Sequence, residues 1–447
     1  MTYALRGAGL PMLSEDCVPP SVCGVADLAD FAYQEHGFAE LIARVDRFHA
    51  GSDPHGEDPA HVHDTGIACQ LAFRCAEGLA LQDLALDRCQ LYRVRAGVAQ
   101  DRVAQDRVAQ DRGGQDRVGR RGTLRVLALV GPGALMVNTP IDFLTRYLDV
   151  RLDLLYVLPD RPLPPVVPEH DVAFFALGEA DPPMLARLRA LFAAWPRPAQ
   201  NDPGFLPMLA RDTLARSLAG VDGLCSPAAV AVSRAELEAH LRQGLGWRQG
   251  RPVVGFDGAR GLYPCLVRPV DSHAGLSLAL ARTPAELAEY LRFSFKDAFF
   301  VTAFEDYAGP DGLYRKSRVA FVDGAPFLCH HATSRNWMVH YLNAGMTGSA
   351  ARRAEEASAM AGFDHGFARR HAGAFAALHE RLGFDYYQID CAETRDGRLL
   401  LFEADSAAIV HLMDPPALFP YKPPQMRRVF AAFDAMLRRS ASSGDGA

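Results

Sequence analysis

The order of apolar and polar residues divides the chain into a helical N-terminal part and a longer part in which strands and helices alternate. Apolar residues recur at helical spacing through residues 24–95, most regularly from Ala68 to Val94, and the Glu77-Gly78 step would allow a turn between two helices. Beyond this part, the apolar residues form short continuous runs separated by helical patterns. The first runs span residues 124–130, 152–157 and 171–177. This pattern predicts an α/β fold with a parallel sheet behind an all-α N-terminal segment.

The alternation continues through two further α/β units in the second half of the chain. The predicted strands of these units lie at 228–232, 263–269, 299–304, 317–322 and 327–331. A helix from Phe367 to Leu382 then leads into a final hairpin. The predicted organisation is a helical region at 1–95, a linker at 96–122, α/β units at 123–197, 198–298 and 299–438, and a disordered tail at 439–447.

A short repeat separates the helical part from the first predicted sheet. Val-Ala-Gln-Asp-Arg occurs three times in succession over residues 98–112, and Gly-Gly-Gln-Asp-Arg follows at 113–117. A period of five residues fits neither the roughly 3.6-residue repeat of a helix nor the alternation of a strand. We interpret the repeat as a mobile linker expansion, and a charged interaction segment is the alternative.

Three carboxylates near the C-terminus are the strongest chemical signal in the chain. Asp396-Gly397 between two apolar runs predicts a hairpin with a two-residue loop, which puts Asp390 directly opposite Glu403. Asp405 lies two residues further along, so its side chain emerges on the same face. Like charges facing each other destabilise a sheet, and a cation between them reverses this effect. An oxygen-only set predicts Mg²⁺ or Mn²⁺ rather than zinc, with a solvated polar face as the alternative.

A basic segment upstream has the residue types that bind phosphate. Arg268 ends an apolar strand and is followed by a small-residue loop that contains Ser272, His273 and Gly275. An arginine at a strand end can hold a phosphate through two hydrogen bonds, and such a loop can present backbone N–H groups to phosphate oxygens. An ordinary hairpin is the alternative for this segment.

Two later strands carry charged side chains that suit a nucleotide. One apolar strand runs into Glu305 and Asp306, either of which could accept a hydrogen bond from a ribose hydroxyl, although an edge strand entering a loop has the same pattern. Lys316 and Arg318 are two residues apart and therefore share one strand face. Together with Arg268 they match a polyphosphate, and a solvated β-face is the alternative.

Composition narrows the classes of protein to consider. The chain has 447 residues, 49% hydrophobic residues and a net charge of −6, which is typical of a globular protein and gives no overall positive charge for nucleic-acid binding. We see neither a signal peptide nor an apolar run of the roughly 18 residues that a membrane span needs. The nine cysteines are scattered without a Cys-x-x-Cys pair, which predicts reduced thiols in a cytoplasm.

Three histidines, His55, His61 and His63, lie close together in the N-terminal part. Imidazole groups at this spacing could bind a metal, but no cysteine joins them at zinc spacing. We therefore predict a polar loop at this position.

Four features, taken in order, resemble the ATP-grasp superfamily of carboxylate–amine ligases. They are the arginine strand with its small-residue loop, the strand ending in acids, the Lys-x-Arg strand and the Asp…Glu-x-Asp hairpin. The resemblance covers roughly residues 124–437. Residues 316–341 look like a bacterial ATP-grasp group that often carries tetratricopeptide-like N-terminal helices, and residues 68–94 resemble one such helical pair. The resemblance implies a three-unit ATP-grasp architecture, in which 123–197 is the pre-ATP-grasp domain, 198–298 the lid and 299–438 the metal-binding subdomain.

The resemblance also implies a role for each candidate residue, with ATP between the lid and the metal-binding subdomain. It assigns ATP to Arg268, Ser272, His273, Gly275, Glu305, Asp306, Lys316 and Arg318, Mg²⁺ or Mn²⁺ to Asp390, Glu403 and Asp405, catalysis to Arg318, Arg268 and Arg335, and the substrate to His331, Arg335 and His411. A substrate carboxylate would attack the γ-phosphate, and an amine would then displace phosphate from the acyl-phosphate to give an amide.

Two positions depart from the pattern of the family. Members commonly end the metal triad in Asn, where this chain has Asp405, and the stretch 209–213 offers only Arg211 in place of a lysine. Neither change removes an essential type of charge, so we expect an active ligase for small or peptide-like carboxylates and amines. A phosphotransferase and a non-catalytic nucleotide-binding interaction protein are the alternatives. A homodimer and a protein partner at the N-terminal helices stay open, and neither a nucleic acid nor a membrane is expected as a partner.

Overall fold

The computed structural model describes residues 10–34, 36–51, 58–95, 123–243, 263–270, 272 and 275–444. The linker at 96–122, with both interpretations of its repeat, lies outside the described residues. The same holds for His55 and His273.

The strands are numbered in chain order. They are β1 (Met12–Ser14), β2 (Ser21–Val22), β3 (Leu91–Val94), β4 (Leu124–Val130), β5 (Val150–Tyr156), β6 (Val166–Pro168), β7 (Val172–Phe175), β8 (Ala199–Gln200), β9 (Leu224–Cys225), β10 (Ala229–Ser233), β11 (Cys265–Pro269), β12 (Ala279–Ala281), β13 (Ala298–Ala303), β14 (Tyr314–Val322), β15 (Ala325–Ser334), β16 (Tyr386–Glu393) and β17 (Leu399–Asp405).

The helices are numbered in the same way. The α-helices are α1 (Val25–Tyr33), α2 (Phe38–His49), α3 (Pro59–Leu71), α4 (Cys75–Arg88), α5 (Ile141–Thr145), α6 (Pro182–Ala194), α7 (Arg211–Ser217), α8 (Arg234–Gln243), α9 (Pro284–Phe293), α10 (Ala350–Gly362), α11 (Phe367–Arg370), α12 (Ala372–Leu382) and α13 (Lys422–Gly444). Short 3₁₀ helices span Leu135–Val137, Pro203–Leu209 and Tyr341–Asn343.

A six-stranded sheet has the order β2-β3-β5-β4-β7-β8. Strands β5, β4, β7 and β8 run parallel, as the alternating pattern predicts, while β3 pairs antiparallel with β5. Because β2 and β3 come from the N-terminal region, the prediction that this region is all-α is wrong. The two strands have only two and four residues, and runs so short are hidden among the surrounding helical patterns.

The N-terminal helices α3 and α4 form an adjacent pair, but the turn between them is not where the sequence predicted it. The chain turns at residues 72–74, and Gly78 lies inside α4 against Gly66 of α3. A Cβ atom on Gly66 would lie 2.9 Å from the carbonyl oxygen of Gly78, so the two glycines permit a close helix crossing. His61 and His63 also lie in α3, and the polar-loop prediction is wrong for both.

A four-stranded antiparallel sheet has the order β10-β13-β11-β12 and a small core of its own. Its central strands carry the buried side chains of Val267 and Phe299, against which α8 and α9 pack through Leu237 and Leu287. The sequence placed the strand at 299–304 in the following unit. That placement is wrong, because β13 lies between β10 and β11 in this sheet.

A five-stranded sheet has the order β15-β14-β16-β17-β9, with its first four strands antiparallel to one another. It shares one hydrophobic core with the six-stranded sheet. Phe433 of α13 joins the two, because its ring lies 5.4 Å from Phe174 on β7 and 5.4 Å from Tyr386 on β16. The helix that carries Phe433 continues to Gly444, so the predicted disordered tail is helical over its first residues.

The structure confirms the mixed α/β class. None of the nine cysteines, all of which lie among the described residues, forms a disulfide. Among the described residues, no helix combines the length and the apolar character that crossing a membrane requires.

Candidate functional site

The carboxylate hairpin has the predicted pairing at its outer end. Asp390 lies directly opposite Glu403, and Asp405 pairs with Gln388 two residues along. Since side chains two residues apart on a strand share a face, the three carboxylates emerge together.

The loop of this hairpin is longer than predicted. The N–H of Thr394 donates to the carbonyl of Arg398 at 2.9 Å, which leaves a three-residue loop instead of the two-residue Asp396-Gly397 loop. Continued outward, that register would pair Asp390 with Phe402. A β-bulge between Asp390 and the next residue adds one residue to β17 and restores the opposition of Asp390 and Glu403. The prediction was therefore right about the carboxylates because two errors in the register offset each other.

Strand β14 brings the two predicted cations to this face. Arg318 is the direct partner of Asp390 in the β14–β16 ladder. Its Nε and Nη2 donate to the two oxygens of Asp390 at 2.8 and 3.1 Å, and Lys316 Nζ lies 2.7 Å from Oδ2. Burial raises the pKa of the Asp390 carboxyl, but Arg318 and Lys316 outweigh it and hold this pKa well below its usual range. Asp390 is therefore ionised and enclosed by positive charge.

Glu403 has a different cationic partner. Arg211, the first residue of α7, donates to Glu403 Oε2 at 2.5 Å. Burial lowers the pKa of Arg268 to about 10, with the positive charge of Arg211 adding to the shift and Glu403 opposing it. Arg268 belongs to β11 of the four-stranded sheet, so charges from two separate sheets act on one another here. The Arg268 guanidinium is held by Ser272, whose Oγ accepts from Nε at 3.0 Å and whose carbonyl accepts from Nη2.

Among the described residues, no cation forms an ion pair with the third carboxylate, Asp405. Burial raises the pKa of Asp405, and the nearby Glu403 and Asp390 add to this, whereas the N–H of Ala407 donates to Oδ1 at 2.7 Å and acts in the opposite direction. A divalent cation at this face would offset the repulsion among the three acids.

The donor set fits the predicted Mg²⁺ or Mn²⁺. Its ligand atoms are all carboxylate oxygens, which hard cations prefer. Oδ2 of Asp390 already accepts from both Arg318 and Lys316, while Oδ1 accepts only from Arg318 among the described contacts. Asp390 would therefore offer Oδ1 to a metal unless Lys316 moves away. Arg211, Lys316 and Arg318 pair with carboxylates of this face, and cations beside a metal site suit an anion such as a phosphate.

The two predicted ribose acceptors occupy different surroundings. Asp306 pairs with Arg395 of the hairpin loop at 2.7 Å and also accepts from the N–H of Ala308 at 3.1 Å. Glu305 lies 4.0 Å from Arg398 Nη2. Since Asp306 is used to fix the loop, Glu305 is the better placed of the two to accept from a ligand.

The substrate residue predicted on β15 is on the wrong face of the sheet. His331 pairs with Ser317, and its Nδ1 lies 2.9 Å from Ser317 Oγ, on the side opposite Arg318. A β-bulge after Arg318 shifts the ladder by one residue, so that His330 faces Arg318 instead. Burial lowers the pKa of His330 well below its usual value, and Lys422 adds to this shift.

The other two substrate candidates are His411 and Arg335. The ring of His411 is 5.7 Å from that of His330, so the structure does bring His411 to the site. Arg335 is exposed just beyond the end of β15. Sequence reasoning assigned no role to two residues that the structure brings in, Arg211 and His330. The only signal for Arg211 was its position as the one cation in 209–213, and the bulge that places His330 opposite Arg318 leaves no trace in the sequence.

No protein-family model matches the chain, and no curated protein matches it. Among solved structures, the D-alanine–D-alanine ligase from Bacillus anthracis complexed with ATP matches with a TM-score of 0.39 and 11% identity, over 72% of this chain and 99% of that one. A RimK domain protein ATP-grasp from Sphaerobacter thermophilus matches with a TM-score of 0.36 and 17% identity, over 70% and 99%. The VanG D-Ala:D-Ser ligase from Enterococcus faecalis matches with a TM-score of 0.42 and 10% identity, over 72% and 100%.

Two of these three proteins are named as ligases and the third as an ATP-grasp protein. Their TM-scores are below 0.5, and their identities do not exceed 17%, so they carry no argument about chemistry. What the site can do follows from the sheets, registers and charges of this chain.

Proposed function

We propose that the chain is an ATP-dependent ligase of the ATP-grasp kind, which activates a carboxylate as an acyl-phosphate and couples it to an amine. The observation that supports this most is the meeting of charges from two sheets. Lys316 and Arg318 from the five-stranded sheet bind Asp390 in a row of three carboxylates, and Arg268 from the four-stranded sheet lies close enough for Arg211 and Glu403 to influence its pKa. Cations suit phosphate oxygens, and a row of carboxylates suits the metal that accompanies them.

The cations and the carboxylates pair with each other in this structure, and this pairing suggests how ATP would be held. Lys316 and Arg318 would leave the carboxylate of Asp390 and bind oxygens of the triphosphate. Arg211 would likewise leave Glu403 and bind the triphosphate. Mg²⁺ or Mn²⁺ held by Asp390, Glu403 and Asp405 would neutralise charge on the transferring phosphoryl group. In this arrangement no buried charge loses a partner when the nucleotide enters.

The reaction proceeds in two displacements. A substrate carboxylate oxygen attacks the γ-phosphorus, and the bond to the ADP oxygen breaks, which gives an acyl-phosphate. The amine nitrogen then attacks the acyl carbon, phosphate leaves, and the amine proton passes to solvent or to a base. Arg318 and Lys316 stabilise the charge that accumulates on the phosphoryl oxygens in the first step. His330 and His411, on the same side as Arg318, are the side chains that we propose to contact the substrate.

Product analysis with ATP and paired libraries of carboxylates and amines tests this proposal. A ligase forms ADP, phosphate and an amide, and it needs both substrates. A phosphotransferase forms ADP and a stable phosphorylated product without an amine. A nucleotide-binding interaction protein leaves ATP intact.

The metal assignment is tested with Glu403→Ala. Loss of this carboxylate leaves Arg211 unpaired and weakens metal binding, so we expect ATP turnover to fall by about 100-fold or more with the fold retained. Glu393→Ala is the matched control, because Glu393 lies on the same hairpin but pairs with Arg370 at 3.0 Å, away from the site. Normal turnover in Glu403→Ala would contradict the metal assignment.

A further inference from the structure

Three side chains of metal-ligand type meet in the N-terminal part, far along the sequence from the carboxylate hairpin. Cys23 follows β2, His49 is the last residue of α2, and Asp64 lies within α3. Their ligand atoms all lie within 4.8 Å of one another. All three side chains are buried, with exposed fractions of 5%, 3% and 0%.

The contacts of Asp64 leave part of its hydrogen-bonding capacity unused. Its Oδ2 accepts from the backbone N–H of Cys23 at 2.7 Å and lies 2.9 Å from Nε2 of His49. Its Oδ1 is buried and makes no hydrogen bond among the described residues. Nδ1 of His63 lies 3.5 Å from Oδ1 and is also buried without a hydrogen bond among the described residues, while Nε2 of His63 lies 2.8 Å from the hydroxyl of Tyr156. A buried carboxylate oxygen in this state is costly unless something binds it.

The chemistry of the three groups favours one class of ligand. A thiolate, a carboxylate and a neutral imidazole together carry the charge that neutralises a divalent cation, so the filled site would be neutral in a buried environment. Sulfur and nitrogen donors beside a single carboxylate suit zinc and not the oxygen-seeking Mg²⁺. The cluster therefore differs in kind from the oxygen-only set at the hairpin.

We propose that Cys23, His49 and Asp64 bind a structural zinc ion, with a fourth coordination position beside His63. The ion ties the start of α1, the end of α2 and the middle of α3 together at the edge of the six-stranded sheet. Burial raises the pKa of the Cys23 thiol far above its usual value, and the charge of Asp64 adds to this. Zinc reverses that preference, because it binds the thiolate and releases the thiol proton to solvent.

Metal analysis of the untagged full-length chain is the direct test. We expect about one equivalent of zinc per chain after purification or after incubation with zinc salt and dialysis. Substitution of cobalt for zinc should give the near-ultraviolet charge-transfer absorption of a cobalt–thiolate bond. Removal of the metal with a zinc chelator should lower the unfolding temperature, and zinc should restore it.

Variants identify the ligands. Cys23→Ser should lose the cobalt–thiolate absorption and His49→Gln should lose most of the bound zinc, so the test does not depend on either variant alone being folded. Cys69→Ser is the matched control, because Cys69 is a buried thiol of α3 outside the cluster. Glu403→Ala should keep its zinc, which separates this site from the proposed function.

Two outcomes would overturn the proposal. One is a wild-type chain that retains neither zinc nor cobalt after incubation and dialysis. The other is equal retention in wild type, Cys23→Ser and His49→Gln, which would place the bound metal elsewhere.

Discussion

Two buried carboxylates, Asp390 and Asp64, have surroundings of opposite kinds. Asp390 is 5% exposed and receives its hydrogen bonds from the cations Arg318 and Lys316. Asp64 is 0% exposed, with a backbone N–H and the imidazole of His49 at Oδ2 and the imidazole of His63 at 3.5 Å from Oδ1. Both pKa values lie below the usual range, in each case against burial, which acts to raise them. Both carboxylates are thus ionised, but for different reasons. Permanent positive charges stabilise the charged form of Asp390, whereas groups that can themselves bind a metal stabilise that of Asp64.

This difference indicates what each site is suited to bind. Around Asp390 the cations would need new partners if a metal took the carboxylate, and in the proposed function the phosphates of ATP would supply them. Around Asp64 the neighbouring groups are themselves metal ligands, so one ion satisfies the whole cluster. A buried carboxylate with cationic partners therefore points to a metal that arrives with an anion, and one among sulfur and nitrogen donors points to a metal alone.

Removal of a permanent charge gives the largest expected effect. Arg318→Met leaves Asp390 with Lys316 alone, and we expect the free energy of unfolding to fall by about 2 kcal/mol. The loss is less than for a fully buried pair, because the Arg318 side chain is 30% exposed. Urea unfolding followed by circular dichroism measures it, and ATP turnover should be lost in the same variant.

A double variant separates stability from chemistry at this site. Arg318→Met combined with Asp390→Leu removes both charges of this pair and leaves only Lys316, whose side chain is 23% exposed, so it should recover most of the lost stability while ATP turnover stays absent. If the single variant were as stable as wild type, the contrast between Asp390 and Asp64 would have no energetic basis.

The pH dependence of stability is expected to come from histidines rather than from either carboxylate. Because the pKa values of Asp390 and Asp64 are lowered, their stabilisation is present above about pH 4 and is lost only as the pH falls below that. The pKa of His330 is also lowered, mainly by burial, so below about pH 6.5 the unfolded chain takes up a proton that the folded chain refuses. Stability should therefore fall as the pH drops from 6.5 to 5.

The size of this effect is measurable with one variant. His330→Gln should reduce the slope of the unfolding free energy against pH by up to about 1.4 kcal/mol per pH unit. Urea unfolding at several pH values between 5 and 7.5 gives the slope. His365→Gln, at an exposed position, controls for the loss of any one histidine. An unchanged slope in His330→Gln would show that the pKa of His330 is the same in the folded and the unfolded chain.

The sequence predicted the carboxylate face well and its neighbours poorly, and β-bulges are the reason. The alternation of side chains predicted Lys316 and Arg318 on one face, and both contact Asp390 in the structure. A one-residue bulge reverses every side chain beyond it, which moved His331 away from the site and brought His330 to it. A bulge is decided by packing between strands, and no local pattern of residues announces it.

Contacts between distant segments were equally hidden. The strands β2 and β3 exist only because the six-stranded sheet offers them an edge, since two and four residues cannot form strands alone. Cys23, His49 and Asp64 come from three elements that meet only in the folded chain. The proposed zinc ligands are therefore close in space although they are far apart in the sequence.

The smallest expected effect comes from the loop that joins the two strands of the carboxylate hairpin. Gly397 has a φ of +84°, and a Cβ atom added there would meet no atom within 4 Å. Gly397→Ala should therefore lower the unfolding free energy by about 1 kcal/mol through backbone strain alone, and Gly397→Asn by less, because Asn tolerates this conformation better. Gly66→Ala, near Asp64, has no such backbone strain but must displace the carbonyl of Gly78, so it should cost more. Urea unfolding ranks the three variants by their loss of unfolding free energy. Equal losses would contradict the prediction that the backbone near Asp64 tolerates an added Cβ atom less well than the hairpin loop does.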